Sequence, residues 1–413
     1  MKKISTACSE NSTEEAQPWQ AGTPITTYWA GPPITDATAK QMADGGFNLV
    51  WCHTEAEVEI AQKYGLRFLL FNELLSDFDA LLLSEEMMNN PAKIARLDAF
   101  IARVKNTPYL YGYFITDEPG VSRFAGLGKL TAHLRKLDPA HLAYINLSPT
   151  IASNEQLGTT GDSVTAYKEY LRQFMGTVKP ELLSYDHYHF HVNGDGDQYF
   201  LNLGLIRQAA LNAGIPFLNI IQASTWNQRM RVPNADELRW LNYTSLAYGA
   251  RGISYFVYFF KPYYDKYKPN AGEMILEDGT PTPQYEAAKK LNPQFIAIAS
   301  QLQPLRSLGA YHVGKKYPGA QELLQNAPFH LAFSGGNHMP AEGMLLGYFG
   351  KPGNPTHVLV VNLDYHNAVT TTVVGPSKLA VFDVRNKTWR QDKSSQVTLT
   401  IPPGGGTLVR VGR

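Results

Sequence analysis

Cysteine is nearly absent. The two in 413 residues, Cys8 and Cys52, exclude a disulfide framework, and Cys52 lies in an apolar run that reads as core. Charge of one sign is lacking as well. With 37 Lys and Arg against 36 Asp and Glu, the net charge is +1, so composition gives no electrostatic argument for nucleic acid or an anionic membrane. No apolar run reaches the roughly 18 residues a membrane span requires. There is no internal repeat and no low-complexity tract. What is present is ordinary for a chain able to bury a large core: 44% hydrophobic residues, 34 Gly and 26 Pro. Length alone predicts two or three domains, although one barrel can take about 250 residues. Aromatics at 12%, with 23 Tyr, are on the high side.

The N-terminus carries an address-like pattern. Met1-Lys2-Lys3 and Thr6-Ala7-Cys8-Ser9 resemble the two ends of a bacterial lipoprotein signal, without the apolar stretch of about 7–15 residues that joins them. The expectation is export to the periplasm or outer surface, with a lipid anchor at Cys8 and residues 1–22 as a flexible polar tether.

From Ile25 onward, apolar runs alternate with helical patterns. Runs begin at Ile25, Phe47, Leu66, Tyr109, Ala143, Leu182, Phe217 and Gly252, with helices after each and a final one from about 283 to 305. Eight strands alternating with helices, joined by right-handed crossovers, predict an α/β fold: a (β/α)8 TIM barrel over 23–308. The rival, a doubly wound open sheet, wants a glycine-rich first turn that does not follow the first strand. Past Gly309 the texture changes to short alternating segments separated by Gly, Pro, Asn and Asp. That pattern predicts a small antiparallel β-sandwich domain over 309–413.

The most informative stretch is Tyr109–Gly120, YLYGYFITDEPG. A strand buried on both faces has no packing reason to end in two acids, and Pro119 stops the ladder. Asp117 and Glu118 therefore sit at the C-terminal end of strand four, the edge where barrels bind ligands. An Asp at this point also fits the N-cap of the next helix. If Glu118 faces inward, strict alternation turns Phe114 and Thr116 inward as well. Asp186, ending a hydrophobic run on strand six, is a second acid placed in the same way, with a hydrogen bond to a loop backbone as the plainer account.

The neighbouring run DHYHFH invites a metal reading with His53. Its three histidines span roughly 13 Å along a strand, too far for one tetrahedral zinc site, and neither a metal nor another cofactor is expected. Further candidates at strand ends are Trp29, His53, Asn72-Glu73, Asn146, Tyr188, Gln222, Trp226, Tyr255 and Tyr258. Together they describe a cavity of acids, amides and aromatic faces without a basic cluster or phosphate loop. That chemistry suits a neutral polyhydroxylated ligand, a carbohydrate.

Three blocks also resemble a family. YGYFITDEP is similar to the strand-four acid/base segment of the large barrel clan of glycoside hydrolases, especially the bacterial β-galactosidase-like barrels. ELRWLNYTSLAYGARGISYFVYF resembles their strand-seven-to-eight segment, and GEMILEDGTPTPQYEAAKKLN the stretch entering their last helix. The resemblance implies hydrolysis of a glycosidic bond with Glu118 as proton donor. It also exposes a departure, because that clan keeps a nucleophilic Glu at the end of strand seven, where this chain has Ile220-Ile221-Gln222. Three expectations follow: Asp186 serves as base or nucleophile with Asp117 in support or as the second acid, or the chain hydrolyses by inversion, or it is a glycan-binding barrel without catalysis. Because strands four and six are not neighbours, a carboxyl gap of about 6.5–9.5 Å and inversion are favoured.

Overall fold

The computed structural model describes residues 17–71, 87–261 and 269–412. Eight parallel strands form a nearly closed barrel: β1 (Ile25–Trp29), β2 (Leu49–Cys52), β3 (Arg67–Leu70), β4 (Leu110–Asp117), β5 (Leu142–Leu147), β6 (Leu183–His187), β7 (Phe217–Gln222) and β8 (Gly252–Phe256). Ladders run β1-β8-β7-β6-β5-β4-β3-β2. The β1/β2 seam is closed by single bonds instead. Asn48 N–H donates to Thr26 O at 2.9 Å, and the Thr27 hydroxyl donates to Leu49 O at 2.8 Å.

Around the barrel lie α1 (Asp36–Asp44), α2 (Glu55–Lys63), α3 (Pro91–Val104), α4 (Phe124–Leu137), α5 (Asn154–Leu157), α6 (Ser163–Thr177), α7 (Tyr199–Ala213), α8 (Ala235–Tyr248) and α9 (Pro283–Leu302). Capping boxes at Thr35, Thr54 and Asn234 start α1, α2 and α8 where the sequence offers a short polar side chain before an apolar stripe. Among the described residues, no helix is long and apolar enough to cross a membrane.

Two irregularities in β4 decide what reaches the barrel mouth. Pairing of β4 with β5 shifts by one residue between Phe114 and Thr116, so Phe114 lies beside Tyr144 and Asp117 beside Asn146. A bulge of this kind re-aims side chains. Strict alternation past Phe114 is therefore corrected: Asp117, not Thr116, keeps register with the inward-facing Asn146. Glu118 follows with φ of +43°, left-handed backbone that a non-glycine residue adopts at a cost of about 1–3 kcal/mol. Its N–H still donates to Asn146 O at 2.9 Å. The bulge and the kink together let two consecutive acids both serve the mouth.

The C-terminal region holds a seven-stranded sheet in the order β10-β9-β12-β13-β18-β15-β16 and a three-stranded sheet β11-β14-β17. The strands are β9 (Arg306–Val313), β10 (Gln321–Glu322), β11 (His330–Ala332), β12 (Met344–Lys351), β13 (Asn354–Asn362), β14 (Val369–Val374), β15 (Leu379–Asp383), β16 (Thr388–Gln391), β17 (Gln396–Ile401) and β18 (Gly406–Val411). Pairing is antiparallel apart from β9 with β10. One face of the large sheet, with Leu346, Val358 and Val360, packs on the small sheet. The other face, with Leu345, Leu359 and Val361, joins the core of the barrel. β12 is thus buried on both sides.

β12 crosses α8 at Gly347, where an added Cβ would lie 2.3 Å from Ala247 O. Backbone cannot yield as a flexible side chain can. Gly347→Ala is expected to destabilise the chain by roughly 1–3 kcal/mol, read as a lower urea midpoint at unchanged m-value. Gly176→Ala, at ordinary backbone φ with open space for the added Cβ, is its control for the loss of a glycine.

Candidate active site

The site is built from the ends of β4, β5 and β6, and one amide organises it. Asn146 Nδ2 donates to Asp117 Oδ1 at 3.0 Å and to Asp186 Oδ1 at 2.9 Å. Its Oδ1 accepts from the Ser184 hydroxyl at 3.0 Å, and Ser184 Oγ lies 2.7 Å from the Tyr144 hydroxyl. The Asp186 carboxyl in turn hydrogen-bonds Glu118. The long separation expected from strand order does not form: the intervening strand supplies a linker, and the two carboxyls meet.

Burial sets the protonation of this cluster. Asp186 is 4% exposed. Desolvation raises its pKa well above the carboxylate range, and the charges of Glu118 and Asp117 push it further. Glu118 is raised by burial too, but it accepts the hydrogen bond from Asp186, which favours its ionised form. Asp117 is pushed up to about 7, first by burial and then by the Glu118 charge, with Asn146 opposing. Asp117 and Glu118 present open surface to solvent, yet protein atoms crowd them on the remaining sides, so they meet water from one direction only. All three carboxyls therefore hold protons more tightly than free acids do, Asp186 most strongly, with Asp186 hydrogen-bonded to Glu118 and Asp117 alongside.

Two groups of rings flank the acids. Trp29, Trp51 and Phe114 meet at centroid distances of 5.0–5.8 Å, and Phe71 stacks on Phe114 at 5.1 Å. His53, half-buried, packs on Phe71 at 5.0 Å, its pKa lowered by desolvation. From the ends of β6, β7 and β8, Tyr188, Trp226 and Phe256 form a triangle with sides of 4.5, 4.7 and 5.3 Å. Since Trp29 is the register partner of Phe256, the two groups adjoin across β1 and β8.

Three candidates lie elsewhere. Tyr255 is fully buried with its hydroxyl on Asn242 and Asn292, between β8 and the outer helices. Tyr258 is also fully buried, donating to Gln41 Oε1 at 3.1 Å and packing on Tyr28 and Phe47. Gln222 is 0% exposed, its amide consumed by backbone: Oε1 accepts from Phe190 N–H at 2.8 Å, and Nε2 donates to Phe190 O at 2.9 Å and Arg231 O at 2.8 Å. Tyr258 lies beyond the end of β8 at Phe256, and Tyr255, within β8, points to the helix side. Asn72, Glu73 and Cys8 lie outside the described residues.

The histidine run is packing. β6 ends at His187, so the alternation argument stops there. His187 Nδ1 lies 2.9 Å from Asn202 Oδ1, and His189 stacks on Trp240 at 4.8 Å and 10°. Burial lowers their pKa values to about 4 and about 3. Among the described residues, no three His, Cys, Asp or Glu side chains are grouped to hold a metal ion. The members of the site not among the candidates are Trp51, Phe71, Phe114, Tyr144, Ser184 and Phe256. Two of them carried a signal in strand alternation, Phe114 four residues before Glu118 and Ser184 two before Asp186.

No family model and no curated protein matches the sequence. Solved structures do match in fold. A β-galactosidase from the Antarctic haloarchaeon Halorubrum lacusprofundi aligns over 94% of this chain and 99% of its own, at 9% identity and a TM-score of 0.54. A glycoside hydrolase family 5 protein from Bacteroides vulgatus aligns over 95% and 93%, at 11% and 0.51. A further glycoside hydrolase covers 96% and 98%, at 13% and 0.52. The chain thus has a glycoside-hydrolase-like (β/α)8 fold, the fold the strand-four resemblance implies.

The raised pKa of Asp117 has a consequence for stability. Its folded value of about 7 exceeds an unfolded value of about 3.9, so the folded state binds the proton more tightly. The associated stabilisation is complete below about pH 4 and is lost as pH rises through about 7. Asp117→Asn, which keeps an acceptor for Asn146 and cannot ionise, is expected to melt higher than the natural chain at pH 8 and level with it at pH 4. Melting curves across that range check it.

Proposed function

We propose that the chain hydrolyses a glycosidic bond in an oligo- or polysaccharide, with Glu118 as general acid. The observation that carries this reading is the hydrogen-bonded Asp186–Glu118 carboxyl pair, with Asp117 beside it, at the mouth of the barrel. Asp186 is nearly closed to solvent and Glu118 is open, so a sugar's leaving oxygen meets Glu118, and Asp186 acts as the reservoir that keeps Glu118 supplied. In the reaction, Glu118 gives its proton to the glycosidic oxygen as the C–O bond breaks. A water adds to the anomeric carbon and loses its proton to Asp117, the other open carboxyl. The flanking rings supply flat apolar faces for the C–H surface of the sugar. The base or nucleophile role expected for Asp186 suits its burial less well than that of proton reservoir.

Glu118→Gln is expected to lower product release from a panel of oligosaccharides and aryl glycosides by about 100- to 10,000-fold. Asp186→Asn is expected to move the alkaline limb of the pH–rate profile to lower pH. It removes the proton held against ionised Glu118 while an amide N–H still stabilises that anion. Activity unmoved in both variants would remove the acid pair from the mechanism.

A glycan-binding barrel without turnover is the second reading. Ile220 and Gln222, apolar and fully bonded where a strand-seven acid would stand, favour it. Saturable glycan binding with no product in the natural chain or in Glu118→Gln would establish it. We also propose a location outside the cytoplasm with a lipid at Cys8, supported by the charged and small-residue pattern of residues 1–9. Partition of the natural chain, and not Cys8→Ser, into a detergent phase after expression in a bacterial host tests that.

A further inference from the structure

At the end of the barrel opposite the acids lies a cavity of about 520 Å³, under the starts of β1, β6, β7 and β8. Three guanidiniums line it: Arg207 from α7, Arg251 just before β8, and Arg306 at the start of β9. Arg207 is 8% exposed. Its partners are neutral, with Nε donating to Ser307 Oγ at 2.9 Å and Nη2 to Ser307 O at 3.1 Å. Arg251 Nη2 donates to the carbonyls of Gln303 and Leu305, at 2.7 and 3.2 Å, while its Nη1 is buried without an acceptor. The indole N–H of Trp19, a residue 9% exposed on the same wall, is also buried and unbonded. Among the described residues, none of the three arginines pairs with a carboxylate.

Buried guanidinium charge without a counter-ion is costly, at several kcal/mol per ion before compensation. Its mark is visible here: burial lowers the pKa of Arg207, with Arg306 adding like-charge repulsion, and burial lowers that of Arg251 to about 10. The one acid on the wall, Glu181, is itself raised by burial, and the cation acting on it is Arg135. A second hollow of about 430 Å³ shares Arg207, Leu211, Arg306 and Ser307 and continues toward Gln321. The basic groups therefore stand mid-way along a groove longer than an inorganic ion needs.

We propose that this groove binds a monosaccharide-sized oxyanion, a sugar-like body bearing phosphate, sulfate or carboxylate. Arginine's planar fork suits such groups, donating two parallel hydrogen bonds to each. Arg306 supplies charge and N–H donors at the rim, and Arg207 and Arg251 supply charge from the wall.

The test is calorimetric titration of the full chain, at fixed ionic strength in chloride, with glucose 6-phosphate, glucuronate, inorganic sulfate and glucose. One of the two anionic sugars is expected to bind saturably and more tightly than sulfate, and glucose not at all; which one binds identifies the head group. Arg306→Gln removes a side chain that makes no hydrogen bond or ion pair among the described residues, so it is expected to fold normally and bind about tenfold more weakly. Arg251→Gln is expected to weaken binding further. Glu118→Gln is expected to bind as the natural chain does, which separates this site from the barrel mouth. Binding untouched by Arg306→Gln, lost in Glu118→Gln, no tighter than sulfate, or absent for both sugars overturns the proposal.

Discussion

The hydrogen-bonding capacity of one amide limits everything at the barrel mouth. Asn146 has two N–H donors, and both are taken, one by an acid of β4 and one by an acid of β6. Its acceptor is taken by Ser184, tied in turn to Tyr144. A neutral amide can orient two carboxyls but cannot neutralise them. The cations that would do so are missing from the forces acting on Asp117, Glu118 and Asp186, where the charges felt are those of the other acids. Three acids brought together in this way cannot all ionise near neutrality. The cluster must retain protons, and retained protons held in an open cleft are what acid catalysis uses.

Backbone irregularity makes that crowding possible. On an evenly pleated strand, consecutive residues point to opposite faces, so only one of Asp117 and Glu118 would reach the mouth. The bulge before Thr116 brings Asp117 into step with Asn146, and the left-handed turn at Glu118 swings the next carboxyl toward Asp186. Pro119 then ends the ladder. Such departures cost stability and persist where surrounding structure over-determines them. Here the Glu118 N–H bond to Asn146 O and the Tyr170 hydroxyl bond to Pro119 O, both 2.9 Å, do so.

Much of this was legible in the residues alone. All eight barrel strands were, because each is an apolar run bounded by Gly, Pro, Asn or Asp. So were Glu118, Asp186 and Asn146, polar groups ending runs that had no packing use for them. Two failures share a cause: alternation was carried past the point where the strand stops being regular. Past the β4 bulge it mis-assigned Thr116, and past the end of β6 it made the histidines look periodic. Tyr258, taken as part of strand eight, lies beyond its end at Phe256. Tyr255, within β8, faces outward because Ser254 and Phe256 share the inward face with Thr27 and Trp29. Strands β9 and β16 carried no clean alternation, since β9 serves two cores and β16 is an exposed edge.

Gln222 explains why the acids stand on β4 and β6. Its Nε2 donates to two backbone carbonyls, Phe190 O and Arg231 O, joining the loops after β6 and β7. A carboxylate in its place would face those carbonyls with no proton to give, so this position requires a donor. The loops it joins are held from outside as well. Arg231 bridges Asp195 and Glu237, and the Tyr365 hydroxyl, from the turn after β13 in the C-terminal region, bonds Asp195. The far sheet thus braces the β6–β7 side of the mouth through a chain of exposed and half-buried bonds. With the end of β7 committed to bracing, the acids stand on β4 and β6, joined through Asn146.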